Sequence, residues 1–491
     1  MRRLSDLGLH AAHGGDPGIT GLSVDSRDVR QGHLFAALPG TRMHGAEFAN
    51  YAMRQGAAAI LTDPSGARLA EEALKGRTGA LVVTEDPRQA LAYAAALWFG
   101  GQPETVVAVT GTNGKTSVAT FARQLWEALG HRACNMGTTG VEGAWEAPSS
   151  HTTPEPVTLH RLLAEMADEG VTHLAMEASS HGLAQSRLDG VALGAAGFTN
   201  LSQDHLDYHD DFEDYFAAKA GLFDRVLPED GTAVIDIDGD YGLRMLGVAR
   251  DRGQDVITVG ETEGADIRIL GRRYDETGQD LRFDLRGAVH QTRLTLIGGF
   301  QASNALLALG LVMATGTEAG EAISVLPKLE TAKGRMQLVG SRPSGGSVFV
   351  DYAHTPEAVA TALAALRPHV LGRIVCVLGA GGDRDTGKRP LMGRAAAEGA
   401  DMVIVTDDNP RSEDPATIRA AVLEGARAAG GEVSESGDRA AAILLGVDAI
   451  GPGDALLIAG KGHETGQEVG GTTYPFDDAE QASIAMQALD L

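Results

Sequence analysis

At 491 residues the chain is longer than one hydrophobic core usually serves, so two to four domains of roughly 100–200 residues are expected. Hydrophobic residues make up 43% and charged residues 22%, the balance of a chain that folds rather than one that stays disordered. A formal charge of −25, from 41 Lys and Arg against 66 Asp and Glu, repels nucleic acid and anionic lipid. Any anionic substrate must therefore be held by local devices: backbone N–H cradles, single cations or a bound metal.

Two cysteines, Cys134 and Cys376, are too few for a disulfide framework or a structural zinc site and fit a reducing compartment. Ser5, Asp6, His10 and His13 interrupt any apolar export signal near Arg2 and Arg3, and no apolar run approaches the roughly 20 residues that span a bilayer. A cytoplasmic protein is expected.

In chain order, apolar runs such as Ala58-Ala59-Ile60-Leu61 and Leu81-Val82-Val83 alternate with helix-like stretches and predict a small N-terminal α/β unit, with a boundary near Pro103. The run Val106-Val107-Ala108-Val109, a Gly-rich loop, and apolar positions at Val118, Phe121, Ala122, Leu125, Trp126 and Leu129 predict strand, loop and helix. A second unit follows, with a helix bearing Leu159, Leu162, Leu163 and Met166 and a strand at His173-Leu174-Ala175-Met176; together these imply a parallel sheet. Period-two alternation between residues 267 and 296 predicts an antiparallel meander, and a helix is expected from Phe300 to Ala314. Past Lys333-Gly334-Arg335 a further βα series begins, with strands near Val348, Val375, Ile404 and Leu457.

Thr110-Gly111-Thr112-Asn113-Gly114-Lys115-Thr116-Ser117 sits between the buried strand and the amphipathic helix, the context a phosphate-binding loop requires. Gly111 and Gly114 let backbone N–H groups approach phosphate oxygens, Lys115 supplies a point charge, and the Thr116 hydroxyl suits magnesium. Val109 stands where the general pattern has glycine, so the loop is a tighter variant. The next strand delivers Glu177, a candidate magnesium ligand, to the same sheet edge. In Thr199-Asn200-Leu201-Ser202-Gln203-Asp204-His205-Leu206-Asp207-Tyr208-His209 two histidines are four apart, but Leu206 occupies the position where a zinc protease has its glutamate, so zinc hydrolysis is disfavoured. Lys219 falls on the apolar helical face formed by Phe212, Tyr215, Phe216, Leu222 and Phe223. Pattern leaves two readings of it: an ammonium that snorkels to water, or a desolvated amine able to take up carbon dioxide as a metal-binding carbamate.

These motifs, with Glu177-Ala178-Ser179-Ser180-His181-Gly182, Asp351-Tyr352-Ala353-His354-Thr355-Pro356, Gly382-Asp383-Arg384-Asp385, Asp408-Asn409-Pro410-Arg411 and Gly460-Lys461-Gly462-His463-Glu464, closely resemble the Mur ligases nearly end to end. The resemblance implies an α/β protein of three domains. Residues 1–98 would form a small α/β unit for the UDP end of the substrate, 99–331 a central P-loop ATPase with a mostly parallel sheet, and 332–491 a Rossmann-like unit for the incoming amino acid. It implies ATP-dependent addition of meso-diaminopimelate to UDP-N-acetylmuramoyl-L-alanyl-D-glutamate through an acyl phosphate, releasing ADP and phosphate, in cytoplasmic peptidoglycan precursor synthesis. ATP and Mg2+ would be required, the protein is expected to be a monomer, and neither nucleic acid nor membrane is an expected partner.

By similarity, Lys115, Lys219 and His205 would be catalytic, with Lys219 carbamylated. Gly111, Thr112, Asn113, Gly114, Lys115, Thr116, Ser117, Asn304, Arg335 and Asp351 would contact the nucleotide, and Thr116, Glu177, His205 and Lys219 would surround magnesium. Val24 and Ser26 would lie at the uridine end, and Thr152, Thr153, Ser179, Gln185 and Arg187 would grip the muramoyl dipeptide. Arg384, Asp408, Asn409, Pro410, Arg411, Gly460 and Glu464 would receive diaminopimelate: Arg384 and Arg411 offer forks matched to its distal carboxylate, and Glu464 an acceptor for its ammonium. Related ligases adding lysine or extending folylpolyglutamate share the central chemistry. A nucleotide-switched binding protein is the rival of another class, and ATP binding without substrate-stimulated phosphate release would mark it.

Overall fold

The computed structural model describes residues 1–40, 43–149, 151–202, 209 and 211–489. Its contacts divide the chain into two units, one of residues 1–265 with 307–322 and one of residues 266–306 with 323–491.

The first unit begins with a four-stranded parallel sheet of Gly21–Ser23, His33–Ala36, Ala59–Thr62 and Ala80–Val83. The helices following its last two strands start on Asp63 and Asp86, whose carboxylates accept from backbone N–H groups of the first turn, each with proline just inside.

Its larger sheet runs, in spatial order, Asp255–Gly260, Thr232–Asp236, Ala195–Phe198, Thr105–Thr110, His173–Glu177, Ala133–Gly137 and Gly140–Gly143. All neighbours are parallel except the last pair. Strand Thr105–Thr110 lies at the centre, and the chain leaves it toward one side and later returns to the other. That makes its carboxyl end a topological switch point, where such sheets open a crevice for ligand. The five residues Val106 to Thr110 are buried because helices cover both faces, which explains their unbroken apolar run. Helix Lys115–Ala128 follows, with Trp126 and Phe121 fully buried.

The second unit contains the antiparallel meander Ile267–Asp275, Gly278–Leu285 and Ala288–Leu294, as its alternation predicts. It also contains a six-stranded sheet in the order Gln337–Ser341, Ser347–Asp351, Ala455–Ala459, Ile374–Leu378, Met402–Val405 and Glu432–Glu435, parallel except for its first pair. Helix Phe300–Ala314 has the predicted bounds. Apolar clusters fill both faces of the six-stranded sheet, so the polar motifs after its strands gather at the carboxyl edge. No helix among the described residues is long and apolar enough to cross a membrane.

Candidate active site

In the first unit, residues 111–114 turn the chain from the central strand into helix Lys115–Ala128. Gly111 has φ 146°, and a Cβ there would lie 1.8 Å from the Thr199 hydroxyl, so only glycine fits. Gly114, at φ 88°, caps the helix in the left-handed conformation. The loop is tied to the neighbouring strand end: Thr112 N–H donates to Asn200 O (2.9 Å), Asn113 N–H to Asn200 Oδ1 (3.1 Å), and the Thr199 hydroxyl to Asn113 O (2.6 Å).

Lys115 Nζ donates to Gly111 O (2.9 Å) and Thr112 O (2.8 Å). The predicted Lys219 comes to the same place from helix Phe212–Gly221. Its Nζ donates to Gly111 O at 2.7 Å and lies 4.4 Å from the Tyr215 ring centroid. Lys219 is 1% exposed, so its Nζ does not snorkel to water. Two amines therefore share one carbonyl. A single π turn, Leu222–Val226, follows the helix.

Parallel register sets Glu177 beside Val109 at the carboxyl edge. Glu177 is 2% exposed, and its Oε1 accepts from the Thr116 hydroxyl (3.0 Å) and from Thr138 N–H (2.9 Å). Gly137 makes room for it: a Cβ there would lie 1.9 Å from Glu177 Oε1. Among the described residues no group of three or more His, Cys, Asp or Glu could hold a metal. The site offers instead a hydroxyl and a carboxylate side by side, hard oxygen donors in small number. That donor set fits magnesium, which keeps several waters and takes phosphate oxygens. His205 lies outside the described residues.

The residues expected to grip the dipeptide form one network. The Thr153 hydroxyl donates to Glu177 O (2.9 Å) and accepts from Ser179 N–H (3.0 Å), while Thr152 and Thr138 hydroxyls are 3.1 Å apart. Arg187 donates to Thr153 O (2.7 Å) and to Gln185 Oε1 (2.8 Å). Just past strand Gly21–Ser23, Ser26 is 9% and Val24 39% exposed, beside Asp25, which accepts from Arg27 N–H.

In the second unit Asp351 accepts from Met336 N–H (2.7 Å) and Ala353 N–H (2.8 Å), and burial pushes its carboxyl pKa up. The Arg335 guanidinium lies 4.7 Å from the Tyr352 ring centroid, and its Nε is buried without a hydrogen-bond partner among the described residues. Asn304, 6% exposed, donates to Gln301 Oε1 (3.1 Å).

Asp408, Asn409, Pro410 and Arg411 follow strand Met402–Val405, and Gly460 to Glu464 follow Ala455–Ala459. Asn409 (φ 41°), Arg411 (φ 53°) and Asp383 (φ 53°) all have left-handed backbone, a concentration of strain common at functional sites. Asn409 Nδ2 donates to Glu464 Oε2 (2.8 Å), and Gly460 leaves room for Asp408, whose Oδ2 would lie 2.3 Å from a Cβ there. Arg411 is half-buried rather than fully buried; it donates to Gly382 O (2.8 Å) and pairs with Glu468 (3.2 Å), so its fork already has protein partners. Arg384 is exposed.

Sequence reasoning assigned no role to Gly137, Glu468 or Lys461. Lys461 is fully buried beside Asp408, Asn409 and Glu464, and a lysine between two glycines after an apolar strand was the signal that could have found it.

Three family models match: "Mur ligase family, catalytic domain" over residues 18–98, "Mur ligase middle domain" over 109–312 and "Mur ligase, glutamate ligase domain" over 334–462. A UDP-N-acetylmuramoyl-L-alanyl-D-glutamate--2,6-diaminopimelate ligase of Caulobacter vibrioides is 50% identical over 100% of this chain and 99% of its own. A solved structure of a ligase with that name superposes with a TM-score of 0.71 at 34% identity, covering 96% of each chain. The MurF ligase of Thermotoga maritima in complex with ADP shares the fold at 20% identity, with a TM-score of 0.61 over 95% of this chain and 97% of that one. A phosphate-type loop with a carboxylate beside its threonine, a second α/β sheet edge carrying the remaining motifs, and matches along almost the whole length lead to one conclusion: the chain belongs to the Mur ligase family of ATP-dependent amide-forming ligases.

Proposed function

We propose that this protein adds meso-diaminopimelate to UDP-N-acetylmuramoyl-L-alanyl-D-glutamate at the expense of ATP. The observation that carries the reading is the end-to-end relationship to a ligase whose name states both substrates, at 50% identity. The domains follow as 1–98 for the UDP end, 99–331 for ATP and 332–491 for the amino acid, in a cytoplasmic monomer.

A carboxylate oxygen is a poor leaving group, so the D-glutamyl γ-carboxylate must first be activated. It attacks the γ-phosphorus of ATP, the β–γ bridging bond breaks, and ADP departs, leaving an acyl phosphate. The diaminopimelate amine then attacks the acyl carbon; the tetrahedral adduct loses phosphate and a proton, and the amide remains.

In the first unit the N–H groups at the start of helix Lys115–Ala128 and the Lys115 ammonium bind the phosphates, with Gly111, Thr112, Asn113 and Gly114 shaping the loop around them. Thr116 and Glu177 would hold magnesium, and a carbamate on Lys219, with His205, would hold a second ion. Bound there, magnesium neutralises the converging anions and polarises the phosphoryl oxygens. Thr152, Thr153, Ser179, Gln185 and Arg187 orient the dipeptide, which raises the effective concentration of its carboxylate. In the second unit Asn304, Arg335 and Asp351 contact the nucleotide. Arg384 and Arg411 receive the distal carboxylate of diaminopimelate, with Asp408, Asn409, Pro410, Gly460 and Glu464 around its ammonium.

The test is phosphate release with ATP and the UDP-muramoyl dipeptide, comparing meso-diaminopimelate with lysine. Strong stimulation by diaminopimelate alone is expected. Equal stimulation by lysine, or release driven by a folate substrate, would overturn the assignment.

A further inference from the structure

Lys461 has no part in the chemistry above, yet its side chain is 0% exposed. An ammonium is expensive to bury unless it is paired and hydrogen-bonded, so its partners indicate what it is for. They are Asn409 Oδ1 at 3.0 Å, Asp408 Oδ1 at 3.4 Å and Glu464 Oε2 at 3.5 Å. All three belong to the proposed diaminopimelate site.

The geometry fixes an orientation as well as a charge balance. Asn409 Oδ1 accepts from Lys461 and from Glu468 N–H (2.9 Å), so the carboxamide oxygen is held on that side. Its Nδ2 must then face Glu464, where it donates to Oε2 at 2.8 Å. The Asn409 and Lys461 contacts both fall on Oε2 of the Glu464 carboxylate, and the side chain is 35% exposed, so it is in part open to solvent. Without Lys461 the amide oxygen loses one of its two donors and keeps only the Glu468 N–H, and Asp408 and Glu464 lose a shared counter-charge.

Nearby, Arg439 and Asp478 are joined by two bonds of 2.7 Å, and the Arg439 charge also acts on Asp408 and Glu464. That pair ties the last helix to Ala459 O. The fold therefore has its own ionic anchor, and Lys461 spends its bonds on the loops that face substrate.

We propose that Lys461 is a positioning residue for amino-acid selection: it sets the Asn409 amide and the Glu464 carboxylate to receive the distal ammonium of the incoming diamino acid. The inference rests on the function proposed above and extends it to a residue that does not touch substrate.

Steady-state kinetics of the full-length enzyme test it. Lys461→Met should raise the KM for diaminopimelate by on the order of 10- to 100-fold, as expected for losing a hydrogen bond to a charged group. The KM for ATP and for the UDP dipeptide should stay within about twofold. Glu464→Gln alone should also raise the diaminopimelate KM, and it should add little in the Lys461→Met background because the carboxylate is already misplaced. Lys461→Gln, which keeps a donor for Asn409, should fold and fall between the two, and it serves if the methionine variant does not fold. A raised KM in Glu464→Gln with an unchanged one in the Lys461 variants overturns the positioning role and leaves the assigned reaction standing. No change in Glu464→Gln removes the amino-acid site itself. A folded Lys461 variant whose three KM values rise together marks a structural residue and refutes the proposal.

Discussion

Replacing Glu177 by glutamine separates the fold of the phosphate site from its charge. Oε1 takes both strong bonds, from the Thr116 hydroxyl at 3.0 Å and Thr138 N–H at 2.9 Å, while Oε2, among the described residues, has the Thr138 hydroxyl at 3.5 Å. A glutamine with its oxygen at the Oε1 position keeps both donors, and its NH2 can donate to Thr138. Stability should therefore change by less than ~1 kcal/mol. The lost anionic charge has no substitute. If Glu177 is a magnesium ligand, kcat/KM should fall by on the order of 100- to 1000-fold, about 3–4 kcal/mol, and the magnesium requirement should move to higher concentration. Phosphate release across a magnesium titration, paired with thermal melting, measures both quantities. Wild-type magnesium dependence in a variant that melts normally would refute the ligand assignment. A large fall in melting temperature would refute the claim that an amide can replace the carboxylate's hydrogen bonds.

Gly137→Ala should act on the same carboxylate from behind. Its Cβ would lie 1.9 Å from Glu177 Oε1, so turnover should drop at least tenfold, roughly the effect of misplacing a metal-site group; full activity would show that the strand yields. Lys219→Ala should nearly abolish turnover, with partial recovery in short carboxylic acids that stand in for a carbamate; mass spectrometry of the gently handled native protein should show about 44 Da on that lysine. Burial, then the charge of His131, lowers the pKa of His173 from 6.5 to about 4. Between those values the unfolded chain binds a proton that the folded chain does not, so this group's contribution to stability is complete above pH 6.5 and is lost as pH falls toward 4. His173→Phe should flatten the fall in melting temperature between roughly pH 7 and 5, and an unchanged slope would remove His173 as its cause.

The parts of the site legible in the sequence are those in which local pattern and chemistry coincide. The apolar run before Gly111 and the helical spacing after Lys115 placed the loop, and a strand ending in Glu177 placed a carboxylate at the same edge, as parallel register confirms. The long Phe300–Ala314 helix was legible for the same reason. Periodicity could not say how deeply Lys219 is buried, because an amphipathic stripe does not report the depth of its one cation; the Gly111 carbonyl that receives its Nζ lies 108 residues away in sequence. Gly137 carried no signal in the sequence, because the carboxylate it accommodates lies on the neighbouring strand, 40 residues away. The left-handed backbone at Asn409 and Arg411 was invisible because arginine does not favour it, and tertiary contacts such as Arg411 N–H to Glu468 O (3.0 Å) impose it.

The Arg439–Asp478 pair has a bearing on how the polypeptide matures. The guanidinium is 3% exposed at the start of one helix, and its counter-ion, 0% exposed, arrives only with the final helix, Asp478–Leu489. During synthesis the bidentate pair therefore cannot form until the segment carrying Asp478 has been made, whereas the nucleotide loop and the strands around it come earlier in the chain. Trimming the chain before Asp478 would leave this half of the molecule permanently in that unfinished condition.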